Sequence, residues 1–347
     1  MEDRRESLTM LSQFNPYEID LSDLSVEAFL NQLKGPRYIV LNGFDNSRTR
    51  VFVTLLHGNE PSGVMALLRW LKQGRQASVR IVCILASVKT ALEAPLFHYR
   101  TLPGVRDLNR CFQAPFEDTQ GQLAKKILEL IHHYRPEAVI DMHNTSGTGP
   151  AFGVATHDDK YHHALTLPFS DKLVITHLKL GALMDISEDH YPTVTIEAGG
   201  RLDQGAHEVA WQGLDYYFTE IDILKKNQNN KPVKLIVEPV RLEIRKGASL
   251  AYANTSNTEF DVTLIDTIDQ LNFSVINPQT QLGWVNRGGL NNFVVSDCKQ
   301  QSISKDWLRL EQGKLYPKID VLFFMITTNP VIAIDDCLFY GIKINMK

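Results

Sequence analysis

The chain has 347 residues, is 44% hydrophobic and 22% charged, and carries a formal charge of −4. That length suits about two domains with real apolar cores, which excludes a largely disordered chain. The nearly balanced charge offers no concentrated basic field for nucleic acid or a membrane surface.

In chain order, the opening stretch "MEDRRESLTM" is charged and lacks the apolar core of a secretory signal, so a soluble cytoplasmic protein is expected. "LSDLSVEAFLNQLKG" has Ser and Asp before apolar residues at helical spacing and Gly after them, which predicts a capped amphipathic helix. "RYIVLNG" and "RVFVTLL" read as strands. "PSGVMALLRWLKQG" reads as a helix, with Pro in its first turn and Gly past its last, and "VRIVCIL" as a strand again. "GQLAKKILELIHHYRP" is a second clear helix, apolar at Leu123, Ile127, Leu130 and Ile131. "AVIDMH", "AFGVAT", "KLVITHL" and "TVTIEAGG" are further strands, and "AHEVAWQGLDYYFTEI" closes the pattern as a helix. Strands alternating with helices, several strands apolar throughout, predict an α/β sheet covered on both faces.

Beyond the polar, linker-like "KKNQNNK" the texture changes to strand-rich and helix-poor: "KLIVEPVRLEI", "FDVTLID", "NFVVS", "KIDVLFFMI" and "CLFYGIKI". The division expected is a catalytic domain over 1–228 and a smaller β-rich domain over 229–347. The longest apolar runs are strand-sized, far short of a membrane span. Cys83, Cys111, Cys298 and Cys337 are widely separated with no CxxC pair, which suits free thiols in a reducing compartment.

The chemistry gathers where strands end. "VFVTLLHGNEPSG" takes an apolar strand into His57 and, three residues on, Glu60. Carboxyl ends of strands in open α/β sheets are where ligand sites form. His-x-x-Glu alone is a weak pattern, matched by many unrelated loops. A catalytic zinc takes three protein ligands and keeps a position open. "AVIDMHNTSG" supplies His143 in the same context, with Asp141 on the same face of its strand as an outer support or a loop anchor. "TVTIEAGGR" ends a third strand at Glu197, where a carboxylate beside a metal-bound water would act as general base. The plainer alternative is a Glu that caps a helix or pairs with Arg201. In "VRDLNRCF", Arg110 offers a planar fork for a substrate carboxylate and Asn109 a neutral donor beside it; the alternative is a surface loop whose Asp and Arg pair. His132 and His133 fall at a helix C-terminus, where a cation suits the dipole. In "THDDKYHH", His157, His162 and His163 suit a solvated helix start better than a second metal.

"HGNEPSG", "DLNRCF", "DMHNTSG" and "TIEAGG", in this order, resemble the aspartoacylase and succinylglutamate desuccinylase family, relatives of the zinc carboxypeptidases. The resemblance implies a zinc-carboxypeptidase-like mixed sheet with flanking helices, followed by a smaller β-rich domain. It implies one zinc ion per chain, held by His57, Glu60 and His143, with Glu197 as catalytic carboxylate and Asn109 and Arg110 as the substrate-carboxylate clamp. Family members also carry an arginine that polarises the scissile carbonyl; Arg100 and Arg106 are both candidates, Arg100 favoured because Arg106 abuts the clamp block. A further arginine that holds the second carboxylate of aspartate has no counterpart in "LGALMDISEDHYP". A tyrosine contributed by the second domain in some members has Tyr316 and Tyr340 as candidates. The implied activity is zinc-dependent hydrolysis of a small N-acyl amino acid, without nucleic acid or membrane partners, in a chain that could assemble as a homo-oligomer. Alternatives are a metallocarboxypeptidase acting on peptide C-termini, and a non-catalytic metal-binding sensor of the same fold.

Overall fold

A computed structural model describes residues 11–225, 232–296 and 303–344. The opening charged stretch, most of the "KKNQNNK" linker with the 228/229 boundary, and Cys298 lie outside the described residues. By internal packing the chain divides into two compact units, the first containing residues up to Asn144 with 151–173 and 178–235, the second 145–150, 174–177 and 236–347.

Nine strands of the described chain form one mixed sheet: β1 Ser12–Gln13, β2 Arg37–Leu41, β3 Gly43–Thr54, β4 Ala77–Leu85, β5 Ala138–Thr145, β6 Phe152–Ala155, β7 Lys172–Ile175, β8 Thr193–Gly200 and β9 Lys234–Val237. Their order is β1-β2-β4-β3-β5-β8-β6-β7-β9. β3 runs parallel to both β4 and β5, whereas β2 pairs with β4, and β6 with β8, antiparallel. "KLIV", expected to open the second domain, instead enters this sheet as β9.

Alternation along β3 sends neighbouring side chains to opposite faces. Val51 and Val53 pack with Val82, Ile84 and Val139 against Leu123, Ile127 and Ile131 of the helix Thr119–Tyr134. Phe52 meets Phe218 edge-on at 5.9 Å, and Phe218 meets Trp70 at 5.1 Å, which covers the other face with the helices Gln204–Thr219 and Ser62–Lys72. The helix Thr119–Tyr134 forms because it has an apolar stripe and ends defined by its own sequence. Asp118 accepts the Gly121 N–H at the start of Thr119–Tyr134, and Arg135 turns left-handed just before Pro136. Covered on both faces, β5 and β8 are buried at every position.

The second unit has two five-stranded sheets. One holds β10 Val240–Ile244, β13 Ser274–Ile276, β15 Phe293–Ser296, β18 Val321–Phe324 and β19 Phe339–Lys343; the other β11 Leu250–Tyr252, β12 Val262–Leu264, β14 Gly283–Val285, β16 Leu308–Glu311 and β17 Lys314–Pro317. Leu242, Val262, Val295, Leu315 and Phe323 are fully buried between them. The C-terminal region is β-rich, as its composition indicates. Among the described residues no helix is long and apolar enough to cross a membrane.

Candidate active site

The site begins with register. β3 and β5 pair in parallel from Arg50↔Ala138 to Thr54↔Met142, so both strands leave the sheet at the same edge. His143 follows directly on Met142. His57 stands three residues past Thr54, after Leu55 takes a left-handed turn at φ 57°. A buried leucine in that conformation carries local strain, of order 1–2 kcal/mol. It follows the last paired residue of β3, and the Leu55 carbonyl accepts the Ser87 N–H at 2.7 Å, just past β4. The helix Ser62–Lys72 then starts hard against the strands: a Cβ on Gly63 would lie 2.2 Å from Thr54 Oγ1 and 2.9 Å from Met142 Cγ. Only glycine lets the helix approach this closely, and that approach brings Glu60 onto the strand exits.

His57, Glu60 and His143 are all buried, and one ligand atom from each lies within 4.8 Å of the others. His57 Nδ1 is 2.9 Å from Glu60 Oε1, and His143 Nδ1 is 2.6 Å from Glu60 Oε2. The second contact is close without the alignment of a hydrogen bond, which leaves Glu60 Oε2 a buried acceptor lacking a donor. The two rings meet at 5.0 Å between centroids. The far nitrogens are also engaged: His57 Nε2 with Asp107 Oδ1 at 2.9 Å, and His143 Nε2 with Asp141 Oδ2 at 2.8 Å. If each Nε2 donates to its carboxylate, both Nδ1 lone pairs face Glu60, a tautomer inferred from the network. That is the pattern of metal-ligating histidines held by outer carboxylates.

Charge supports the same reading. Glu60, Asp107 and Asp141 bring three negative charges, and Arg100 brings one positive, 3.0 Å from Asp107 and 3.7 Å from Glu60, which leaves −3 + 1 = −2 around two neutral imidazoles. Burial and the Arg100 charge oppose protonation of His57, but Asp107 and Glu60 outweigh them and raise its pKa. At His143 burial again opposes protonation, and Asp141 and Glu60 raise its pKa well above the ordinary range. Burial alone would raise the Glu60 pKa, yet the two imidazoles drive it far below the usual carboxylate range. The cluster thus lacks positive charge, which either protonated histidines or a divalent cation can supply. A nitrogen–nitrogen–oxygen donor set suits zinc.

Glu197 lies on β8, buried, with Oε2 lacking a hydrogen-bond partner. Burial pushes its pKa up to about 7, Glu60 adds to the rise, and His143, His57 and Arg100 pull against it. A carboxyl titrating near neutrality is suited to taking and returning a proton.

The clamp candidates adjoin this group. Asp107 accepts the Asn109 N–H at 2.8 Å and caps the short turn Leu108–Arg110. Asn109 is buried, and its Oδ1 accepts the Leu183 N–H at 3.0 Å. Arg110 donates to the Asn109 carbonyl at 3.0 Å, and its charge helps to keep Asp107 ionised. Gly181, at φ 74°, approaches the Arg110 carbonyl so closely that a Cβ would lie 2.8 Å from it. Arg100 and Arg106 point to different partners. Arg100 joins Asp107 and Glu60, whereas Arg106 makes a two-pronged pair with Asp118 at 2.7 and 2.8 Å in an exposed position. Arg201 donates to the Phe97 carbonyl at 2.9 Å. Tyr316 stacks under Arg309, and Tyr340 on Phe324, within the second unit.

Two supports were not evident in the sequence. Asp107, which entered only the alternative of a surface Asp–Arg pair, is the partner of both His57 and Arg100. Asn144, beside His143, bonds Ser62 and Gly199. His162, read as part of a solvated helix start, is buried and bonded to Asp159 at 2.9 Å and Ser187 at 3.0 Å. His207 contacts Ser62 Oγ at 2.8 Å. Among the described residues the one cluster with metal-ligand geometry is His57, Glu60 and His143.

Residues 49–208 match the family model described as the succinylglutamate desuccinylase/aspartoacylase catalytic domain. A succinylglutamate desuccinylase structure from Vibrio parahaemolyticus is 13% identical with TM-score 0.55, covering 86% of this chain and 83% of that one. Murine aminoacylase 3 is 15% identical with TM-score 0.53, covering 86% and 96%. A succinylglutamate desuccinylase/aspartoacylase from Rhodobacter sphaeroides is 14% identical with TM-score 0.52, covering 84% of each chain. At such identities the likeness is one of fold. No curated protein matches by sequence.

Proposed function

On the premise that the chain belongs to the succinylglutamate desuccinylase/aspartoacylase family through its catalytic domain at 49–208, we propose that it is a zinc-dependent hydrolase of a small N-acyl amino acid. The observation that carries the reading is the buried His57–Glu60–His143 cluster, one ligand atom from each within 4.8 Å of the others, beside the buried Glu197.

His57, Glu60 and His143 would hold one zinc ion. Zinc bound there would polarise the scissile carbonyl and lower the pKa of a water from 15.7 towards about 7. Glu197 takes a proton from the attacking water as its oxygen bonds to the acyl carbon, and gives it to the leaving nitrogen as the C–N bond breaks. The products are a carboxylic acid and an amino acid, so hydrogen and charge balance. A base with a pKa of about 7 can make both transfers, because neither protonation state is strongly preferred. Arg100 faces the charge that develops on the carbonyl oxygen, and one well-placed donor contributes ~3–4 kcal/mol. Asn109 and Arg110 hold the substrate carboxylate and fix the amide for attack. Arg106, also a substrate-binding candidate, is the weaker one because Asp118 already takes both prongs of its guanidinium. We assign this chemistry to a catalytic domain at 1–228, followed by the β-rich domain at 229–347, in a cytoplasmic protein.

Zinc content of the purified protein and turnover of a panel of N-acyl amino acids against short peptides test the reading. Deacylation that requires zinc is expected. Peptide trimming without deacylation would favour the carboxypeptidase alternative, and stoichiometric zinc without turnover of either class would favour the sensor.

A further inference from the structure

The helix that follows Glu60 lacks a cap of its own. Its N-cap position is Pro61, which makes no side-chain hydrogen bond to the first turn. The N–H groups that open a helix need partners when buried, and Ser62 is fully buried. The partner comes from another strand. Asn144 Oδ1 accepts the Ser62 N–H at 3.0 Å, and Asn144 Nδ2 donates to Ser62 Oγ at 2.7 Å and to the Gly199 carbonyl at 2.9 Å. Both amide hydrogens and the amide oxygen are engaged. One carboxamide therefore touches all three segments that carry the chemistry: it follows His143 directly, grips the chain two residues past Glu60, and grips it two residues past Glu197.

The backbone does not provide this restraint. The β3–β5 ladder pairs residues only as far as Thr54↔Met142, and the backbone bonds beyond it, Ser87 N–H to the Leu55 carbonyl at 2.7 Å and Gly58 N–H to the Arg100 carbonyl at 3.0 Å, reach neither β5 nor β8. We infer that Asn144 is a positioning residue, which sets the distance of Glu60 and His143 from Glu197 by capping the Ser62–Lys72 helix from the neighbouring strand. The inference rests on the metal-hydrolase reading for the roles of those three residues.

The test compares wild type with Asn144→Ala, Asn144→Asp and Ser62→Ala, measuring zinc affinity by chelator competition, kcat, KM and thermal midpoint. Asn144→Ala loses all three bonds. Zinc affinity is expected to fall about 10–100-fold, as for other outer supports of metal ligands, with kcat lower and KM nearly unchanged. Asn144→Asp keeps an acceptor for the Ser62 N–H and loses the donor to Ser62 Oγ and to Gly199, so zinc binding should recover in part while kcat stays low. Ser62→Ala keeps the Ser62 N–H and Gly199 bonds and should move zinc affinity only a few-fold. Should Asn144→Ala fail to fold, Ser62→Ala and Asn144→Asp carry the test; zinc affinity and kcat at wild-type levels in both would overturn the inference. The same values in a folded Asn144→Ala would overturn it whatever the thermal midpoint does. Wild-type protein that takes up no zinc sinks the hydrolase reading and this inference with it. Wild-type protein that takes up zinc but hydrolyses nothing sinks the first alone, because the affinity ratios still decide the second.

Discussion

Replacing Gly63 by alanine tests the close approach on which the site depends. The new Cβ would sit 2.2 Å from Thr54 Oγ1, 2.8 Å from Thr54 Cβ and 2.9 Å from Met142 Cγ, where ordinary contact begins at 3.4 Å. The worst overlap is therefore 3.4 − 2.2 = 1.2 Å, against a short β-branched side chain that is itself fully buried. Thr54 cannot swing clear as a long flexible side chain would. Overpacking of this kind costs ~1–3 kcal/mol, and the better helix propensity of alanine returns up to ~1 kcal/mol. A net loss of ~1–2 kcal/mol should lower the thermal midpoint by ~1–3 °C for a chain of 347 residues. The larger effect should be on turnover, because the helix that must retreat carries Glu60 at its threshold, and a 1 Å error at a reacting centre can cost ~100-fold in rate. Calorimetry and steady-state kinetics on Gly63→Ala, with Lys72→Ala at the far end of the same helix as control, measure both. A Gly63→Ala protein as stable and as active as wild type would show that the helix accommodates the methyl, and that its close seating does not position Glu60.

Replacing Glu197 by Gln keeps the side chain's shape and removes the base; turnover should fall by a factor of ~100–10,000 while zinc stoichiometry measured by metal analysis stays at one. Asp107→Asn withdraws the carboxylate behind His57, and chelator competition should show zinc affinity ~10–100-fold weaker. Arg110→Ala should raise KM for an acyl amino acid, whereas Arg106→Ala, which breaks only an exposed pair with Asp118, should leave KM in place and cost at most ~1 kcal/mol of stability. Burial lowers the His162 pKa below the ordinary 6.5, although Asp159 pulls the other way. Between the lowered value and 6.5 the unfolded chain binds more protons than the folded one, so this contribution to stability is present above about 6.5 and is lost as pH falls below it. Chemical denaturation across that range should show a slope that His162→Gln flattens; an unchanged slope would remove His162 from the account.

The sequence by itself determined the α/β class and the helices and strands around the site, and singled out polar residues in or just past three apolar strands. His57, His143 and Glu197 could be read there because each interrupts an apolar run of strand length, although only His57 lies past its strand; His143 and Glu197 lie inside β5 and β8, which continue to Thr145 and Gly200. The β-rich character of the C-terminal region was legible for the same reason, in its strand-sized apolar runs. What tertiary structure alone decided is who touches whom across long gaps. Asp107 meets His57 over 50 residues of chain and Asn144 meets Ser62 over 82, and no local pattern encodes either contact. The membership of β9 in the large sheet depended likewise on pairing rather than on its own apolar run. Periodicity reports which face of an element is buried; the partner that a polar group finds once buried is set by packing, because only there does an unsatisfied donor or charge carry its full cost.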